Sequence, residues 1–190
     1  MKTEREDRRV RITKMAIRES LIELMQQQPI AKISVKMICE AADINRSTFY
    51  AHYQDQYDLL DKIQREAAAG IREYISYTQF TDNDEGAVSV VVQVLEYARA
   101  NAALFKVLLS EHGDSTFQSE IMHLVQQKTM EELYGDKQVL PAVTKYIELF
   151  AINGILSIIH YWLENGCVDS PEALAQLILK LLMEGIRSFY

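Results

Sequence analysis

Apolar residues recur at spacings of three and four along most of this chain, the period of helices that bury one face. Ile12, Met15, Ala16, Leu21, Ile22, Leu24 and Met25, with Glu19 on the same stripe, predict a first helix from about Asp7 to Gln27, ended by Pro29. Ser34 is a good N-cap for a second, in which Val35, Ile38 and Cys39 keep the helical spacing. Asp43-Ile44-Asn45 then supplies a tight polar turn. Asp tolerates the left-handed conformation that stops one helix, and Asn45 stands where it would cap the next. That third helix, Arg46 to about His52, is too short to be stable alone, so packing must hold it. Asp55 caps a fourth, which continues to about Tyr77.

The polar stretch Thr81-Asp82-Asn83-Asp84-Glu85-Gly86 reads as a linker. Helices are expected beyond it over about Glu85 to Ala100, Ala102 to Leu109, and Ser115 to Tyr134, the last ended by Gly135. Pro141 opens another at its first turn and Asn165-Gly166 closes it, and Ser170-Pro171 opens a final helix reaching about Phe189. Val88 to Val94 alone has a β-branched alternation, but its polar Ser89 and Gln93 are four apart, which suits a buried helix equally. Gly and Pro are scarce, at 7 and 3 residues, while Leu, Ile, Ala, Glu and Gln abound. An all-α fold is expected.

The penultimate helix differs from the rest. Tyr146, Ile147, Leu149, Phe150, Ile152, Ile155, Leu156, Ile158, Ile159, Trp162 and Leu163 cover nearly its whole circumference. A helix apolar all round must be covered all round, and in a chain of 190 residues a subunit interface is the simplest cover. The last helix adds Leu174, Leu177, Ile178, Leu181, Leu182, Ile186 and Phe189. Two helices from each protomer would make a four-helix bundle, and hence a two-fold homodimer through the last two helices.

The formal net charge of −7 weighs against nucleic acid until the chain is divided. Residues 1–55 hold ten Lys/Arg against eight Asp/Glu, a net of +2, and residues 56–190 hold ten against nineteen, a net of −9. The positive excess coincides with a surface of donors on the short third helix and just beyond it: Arg46, Ser47, Thr48, Tyr50, His52 and Tyr53. Two helices across a tight turn, the second rich in donors, describe a DNA-binding helix-turn-helix. Ser34 and Lys36 at the start of its first helix, with Tyr50, His52 and Tyr53, would meet phosphates. Arg46, Ser47 and Thr48 would face base edges, Arg being the usual partner of guanine. An excess of +2 is modest, so tight binding would need a dimer on a palindromic double-stranded operator and would depend strongly on salt. Arg8, Arg9, Arg11, Lys14 and Arg18 read first as a solvated face and second as further backbone contacts.

Residues 8 to 62 resemble the N-terminal domain of the TetR family of transcriptional regulators. The resemblance runs through Ser34-Val35, Ile38, Ala42-Asp43-Ile44-Asn45, Thr48-Phe49-Tyr50, His52-Tyr53 and Leu59. Asp43 stands where the family usually has Gly, and Gln56 where it usually has Lys, so a phosphate contact expected at Gln56 loses its charge. Leu104 to Phe117 and Asn153 to Gly166 are similar to the C-terminal region of one TetR subgroup. The resemblance implies a helix-turn-helix DNA-binding domain over residues 1–55 and a helical regulatory and dimerisation domain over 56–190. It implies also a repressor released by a small-molecule effector. The pocket would lie among the C-terminal helices, where Tyr74, Tyr77, Tyr97, Phe105, Met122, Met130 and Trp162 are the aromatic and Met positions. Arg72, Arg99, His123 and Asn153 are the polar groups suited to orient a ligand there.

Other chemistry is poorly supported. Glu120 and His123 have the spacing of di-iron bundles but no second copy, and His160 with Glu164 supplies only two ligands, so no metal or other cofactor is expected. No nucleophile elbow, catalytic carboxylate pair or Gly-rich phosphate loop stands out, which argues against an enzyme. Cys39 and Cys167 lie in apolar helical patterns and read as reduced core thiols. A start charged from Lys2 and the absence of an apolar run near ~20 residues predict a soluble cytoplasmic protein without membrane contact. The competing reading is a small-molecule-binding or protein-interaction helical dimer whose helix-turn-helix does not bind an operator.

Overall fold

A computed structural model describes residues 2–77, 84–111, 116–121, 123–124 and 141–187. Every extended element in these residues is helical: α1 (Lys2–Met25), a 3-10 turn (Ile30–Lys32), α2 (Val35–Ala41), α3 (Arg46–Tyr50), α4 (Gln56–Tyr77), α5 (Asp84–Ala100), α6 (Ala102–Leu109), α7 (Pro141–Glu164) and α8 (Pro171–Arg187). Residues 116–121 and 123–124 are also helical, in agreement with the helix expected there, and the rest of that segment lies outside the described residues. Of the expected linker, residues 81–83 lie outside them, while Asp84, Glu85 and Gly86 are not linker but the first turn of α5.

The local signals act largely as their chemistry requires. Ser34 Oγ accepts the Met37 amide at 3.3 Å and starts α2. Asp55 Oδ1 accepts the amides of Tyr57 and Asp58 at 2.9 and 2.8 Å and starts α4. The Ser170 hydroxyl takes the Ala173 amide at 3.2 Å ahead of Pro171. The turn between α2 and α3 is a Schellman closure. Asp43 is left-handed at φ 51°, the Ile44 amide returns to the Cys39 carbonyl at 3.0 Å, and the Asp43 amide to Glu40 at 3.4 Å. Asn45 occupies the N-cap position of α3 but makes no side-chain capping bond, contrary to expectation. Gly166, at φ 75°, closes α7 by the same motif, with Cys167 N–H on the Trp162 carbonyl at 2.9 Å.

The core is continuous from α1 to α8 and includes Ile17, Leu21, Met25, Ile38, Phe49, Leu59, Ile63, Leu95, Leu108, Phe117, Leu163 and Ile178. Packing against this core holds the five-residue α3 in place, through the fully buried Phe49. In α1 the expected face is buried at Leu21, Ile22 and Met25 but not at Ile12, Met15 or Glu19. Ile12 and Met15 are exposed, and Ile17, Leu21 and Met25, four apart, point inward. Residues 8–12 of α1 are all exposed. Helix α4 lies against both α1 and α5, α5 against α8, and α6 against α1 and α7. On α7, Tyr146, Phe150 and Tyr161 are 74, 82 and 72% exposed in the single chain, while Ile152, Ile159, Trp162 and Leu163 are buried. Leu177 and Leu181 on α8 are exposed as well.

Candidate nucleic-acid interface

The α2–turn–α3 unit gathers residues 10 to 20 positions apart onto one surface. Ser34, Lys36, Arg46, Tyr50 and Gln56 line a shallow groove of about 440 Å³, together with Ala31, Lys32, Ile33 and Val35. Four of the eight expected DNA contacts thus share one face, joined by Gln56 from the start of α4. Arg46 and Ser47 are exposed at the N-terminal end of α3, and Arg46 forms no ion pair among the described residues. Its guanidinium is available to a base edge. Lys36 sits 3.6 Å from the Glu40 carboxylate one turn on, a solvent-exposed pair of little intrinsic strength that a phosphate can displace.

Other expected contacts are more enclosed than the sequence indicates. Thr48 is half-buried, and α3 ends at Tyr50, so His52 and Tyr53 belong to the connection into α4. The Tyr53 ring packs on Phe49 with centroids 5.6 Å apart and on His52 at 6.3 Å. Burial raises its phenol pKa, with a smaller contribution from Glu66. Burial also raises the Cys39 thiol beneath the unit, against the opposing pull of Arg46, so that thiol stays protonated and weakly reactive.

Sequence reasoning missed how the connection is held. Lys62 Nζ donates to the His52 carbonyl at 3.3 Å and to Asp58 Oδ2 at 2.9 Å, and lies 5.0 Å from the Tyr53 ring centroid. Asp58 Oδ2 also accepts the Gln54 amide at 2.9 Å. The i,i+4 spacing of Asp58 and Lys62 was legible, but the reach back to residues 52–54 depends on how the chain turns into α4.

Of the positions expected to bind a ligand, Tyr74, Tyr97 and Phe105 stack in a row, and the others are dispersed. Arg72 pairs with Glu120 at 3.4 Å, and Arg99 with Glu96 at 2.6 Å one turn away. Phe105 is buried, its ring 5.5 Å from Tyr97 and 6.0 Å from Phe117. Asn153 is exposed and donates to the Leu149 carbonyl at 2.7 Å. Trp162 is buried, and its Nε1 donates to the Asp169 carbonyl at 2.9 Å. His123 is exposed and Tyr77 ends α4; Met122 and Met130 lie outside the described residues. Among the described residues none of the polar candidates Arg72, Arg99, His123 and Asn153 bonds to an aromatic one. A different cleft, about 550 Å³, opens between Arg18, Ile22 and Met15 of α1, Glu66 of α4, Tyr97 at the end of α5, and Ala102 to Leu104 of α6. An Arg18–Glu66 ion pair crosses it. His160 and Glu164 are 3.7 Å apart, but no group of three or more His, Cys, Asp or Glu among the described residues could hold a metal. No described helix is long and apolar enough to cross a membrane.

Fold and surface together define a helix-turn-helix protein with a helical body. Residues 17–63 match the family model for bacterial regulatory proteins of the tetR family, and residues 87–184 match a transcriptional regulator C-terminal region. The chain belongs to the TetR family of transcriptional regulators. An HTH-type transcriptional regulator of Bacillus subtilis (strain 168), YxbF, is 25% identical over 187 residues, covering 92% of this chain and 45% of its own length. This chain therefore spans about half of that relative. The dihydroxyacetone kinase operon activator DhaS shares its fold at TM-score 0.57 and 24% identity, over 93% of this chain and 97% of that one. A TetR regulator from Streptococcus agalactiae 2603V superposes at TM-score 0.66 and 22% identity, over 95% and 98%.

Proposed function

We propose that the protein is a sequence-specific, homodimeric DNA-binding regulator, a repressor released by a small-molecule effector. The observation that carries this reading is the convergence of Ser34, Lys36, Arg46 and Tyr50 on one accessible face of the helix-turn-helix. Arg46, Ser47 and Thr48 read base edges, while Ser34, Lys36, Tyr50, His52 and Tyr53 set register on phosphates. Residues 1–55 form the reading head and residues 56–190 the regulatory and dimerising body, with α7 and α8 pairing across the two-fold axis. Family regulators bind DNA, form dimers and bind small-molecule effectors, which supports each part. The effector acts from the body by tilting α4, which runs directly from the reading head, and must favour the conformation that does not bind DNA.

Selection of the full chain on a random duplex pool tests the reading. Enrichment of a palindrome is expected, with affinity falling steeply between two salt concentrations. Arg46→Ala should then relax base preference at one position per half-site, by about 1–3 kcal/mol. A pool that enriches nothing would leave a helical dimer without operator binding. Because DhaS bears the name of an activator, a reporter behind the selected site should read the sign of regulation, with repression expected.

A further inference from the structure

We infer that Lys62 and Asp58 of α4 are the positioning pair that sets the phosphate-facing connection between α3 and α4, so that lever and reading head are joined through one ammonium–carboxylate clasp. The inference rests on the DNA-binding reading and adds residues that touch no DNA in it. Residues 51–55 form no regular helix; the Ala51, His52 and Tyr53 amides return to α3 carbonyls, which leaves the His52 carbonyl and the Gln54 amide to find partners elsewhere. The clasp partners these two backbone groups, the His52 carbonyl and the Gln54 amide, and one side chain, the Tyr53 ring. Lys62 Nζ bonds the His52 carbonyl, lies over the Tyr53 ring, and is held by Asp58 Oδ2, which also accepts the Gln54 amide.

The arrangement is directional. A cation just past the end of α3 complements the negative end of its dipole and the carbonyl it bonds. Its attraction to the Tyr53 ring fixes the ring's tilt against Phe49. The Asp58 carboxylate is held below its ordinary pKa, chiefly by the Lys62 hydrogen bond and then by the Gln54 amide, as expected of an ionised hub with two donors. Lys62 lies six residues into α4, whereas Gln56, at the helix start, lines the groove itself. Movement of α4 therefore carries His52 and Tyr53 with it.

The test uses the full chain and the duplex it selects. Lys62→Met keeps the aliphatic stem and removes the charge. It should weaken operator binding about tenfold, the equivalent of one or two lost hydrogen bonds, while the slope of log affinity against log salt stays at the wild-type value. Asp58→Asn should reproduce the loss, and Lys62→Arg should restore part of it. In NMR spectra of the DNA-free protein, the upfield ring-current shift of the Lys62 ε-methylene should be present in the wild type and vanish in folded Tyr53→Leu, a readout independent of DNA binding. Wild-type affinity in Lys62→Met would overturn the inference. So would a salt slope reduced by about one per protomer, since Lys62 would then be a phosphate contact itself. Failure of the wild type to select any duplex would sink the DNA-binding reading instead, and an unshifted ε-methylene would sink the clasp alone.

Discussion

Gly70 of α4 and Tyr97 of α5 meet with no room for a side chain between them: a Cβ on Gly70 would stand 2.5 Å from Tyr97 Cζ and Oη. The ring cannot easily yield, because it also packs against Tyr74 at 5.8 Å and Phe105 at 5.5 Å. Glycine inside a helix ordinarily costs about 1 kcal/mol relative to alanine. Here overpacking should reverse the sign, and Gly70→Ala should lose about 1–3 kcal/mol of stability. Urea denaturation measures it, and a stabilised Gly70→Ala would mean that α4 and α5 separate freely.

Gln64, 3% exposed on α4, has an Nε2 with no hydrogen-bond partner among the described residues. An unsatisfied buried donor costs about 1–3 kcal/mol, and methionine is close to glutamine in shape without the polar atoms. Gln64→Met should therefore raise stability by about 1 kcal/mol and raise the melting temperature. A fall would show that the amide is satisfied in solution.

Much of this architecture was legible because it rests on local chemistry. The start of α2 at Ser34, the left-handed Asp43, the Asp55 cap and the Gly166 stop each follow from one residue's conformational or hydrogen-bonding preference, and each lies where expected. The third helix was legible in place but not in detail, since Asn45 makes no capping bond, Phe49 packing holds the helix, and Thr48, His52 and Tyr53 are half-buried. What was not legible depends on which faces meet. Periodicity put Ile12 and Met15 on the buried stripe of α1, but only tertiary packing determines how far along α1 that cover extends. Arg72, Arg99 and Asn153 were plausible ligand partners by type, yet each has a protein partner that spacing alone does not rank.

Acid should loosen the reading head. The folded pKa of Asp58 lies below the ordinary aspartate value, so its contribution is complete above the unfolded pKa and is lost as pH falls through the folded one. Between those two values the wild type loses stability as carboxylate gives way to acid. Asp58→Asn should be less stable at neutral pH and show a flatter dependence below about pH 4. Thermal melts across pH 2 to 7 compare them, and parallel curves would show that the Lys62 and Gln54 contacts add no stability.

Dimerisation can be probed where the single chain leaves apolar surface uncovered. A charge at Ile159 would be uninformative, since that side chain is already buried within its own protomer. Phe150 is 82% exposed on α7, with Tyr146 nearby on the same helix and Leu177 and Leu181 exposed on α8. A phenylalanine so placed is unfavourable in water and well suited to the centre of an interface. Wild-type protein should sediment as a dimer at micromolar concentration, with a melting temperature that rises with concentration. Phe150→Asp should place a charge on each side of the two-fold axis and shift the population toward monomer, or toward unfolded chain if the protomer is not stable alone. Either outcome should lower the apparent melting temperature more at low concentration than at high. A wild type that sediments as a folded monomer, or a Phe150→Asp variant that remains fully dimeric, would mean that α7 and α8 do not form the interface.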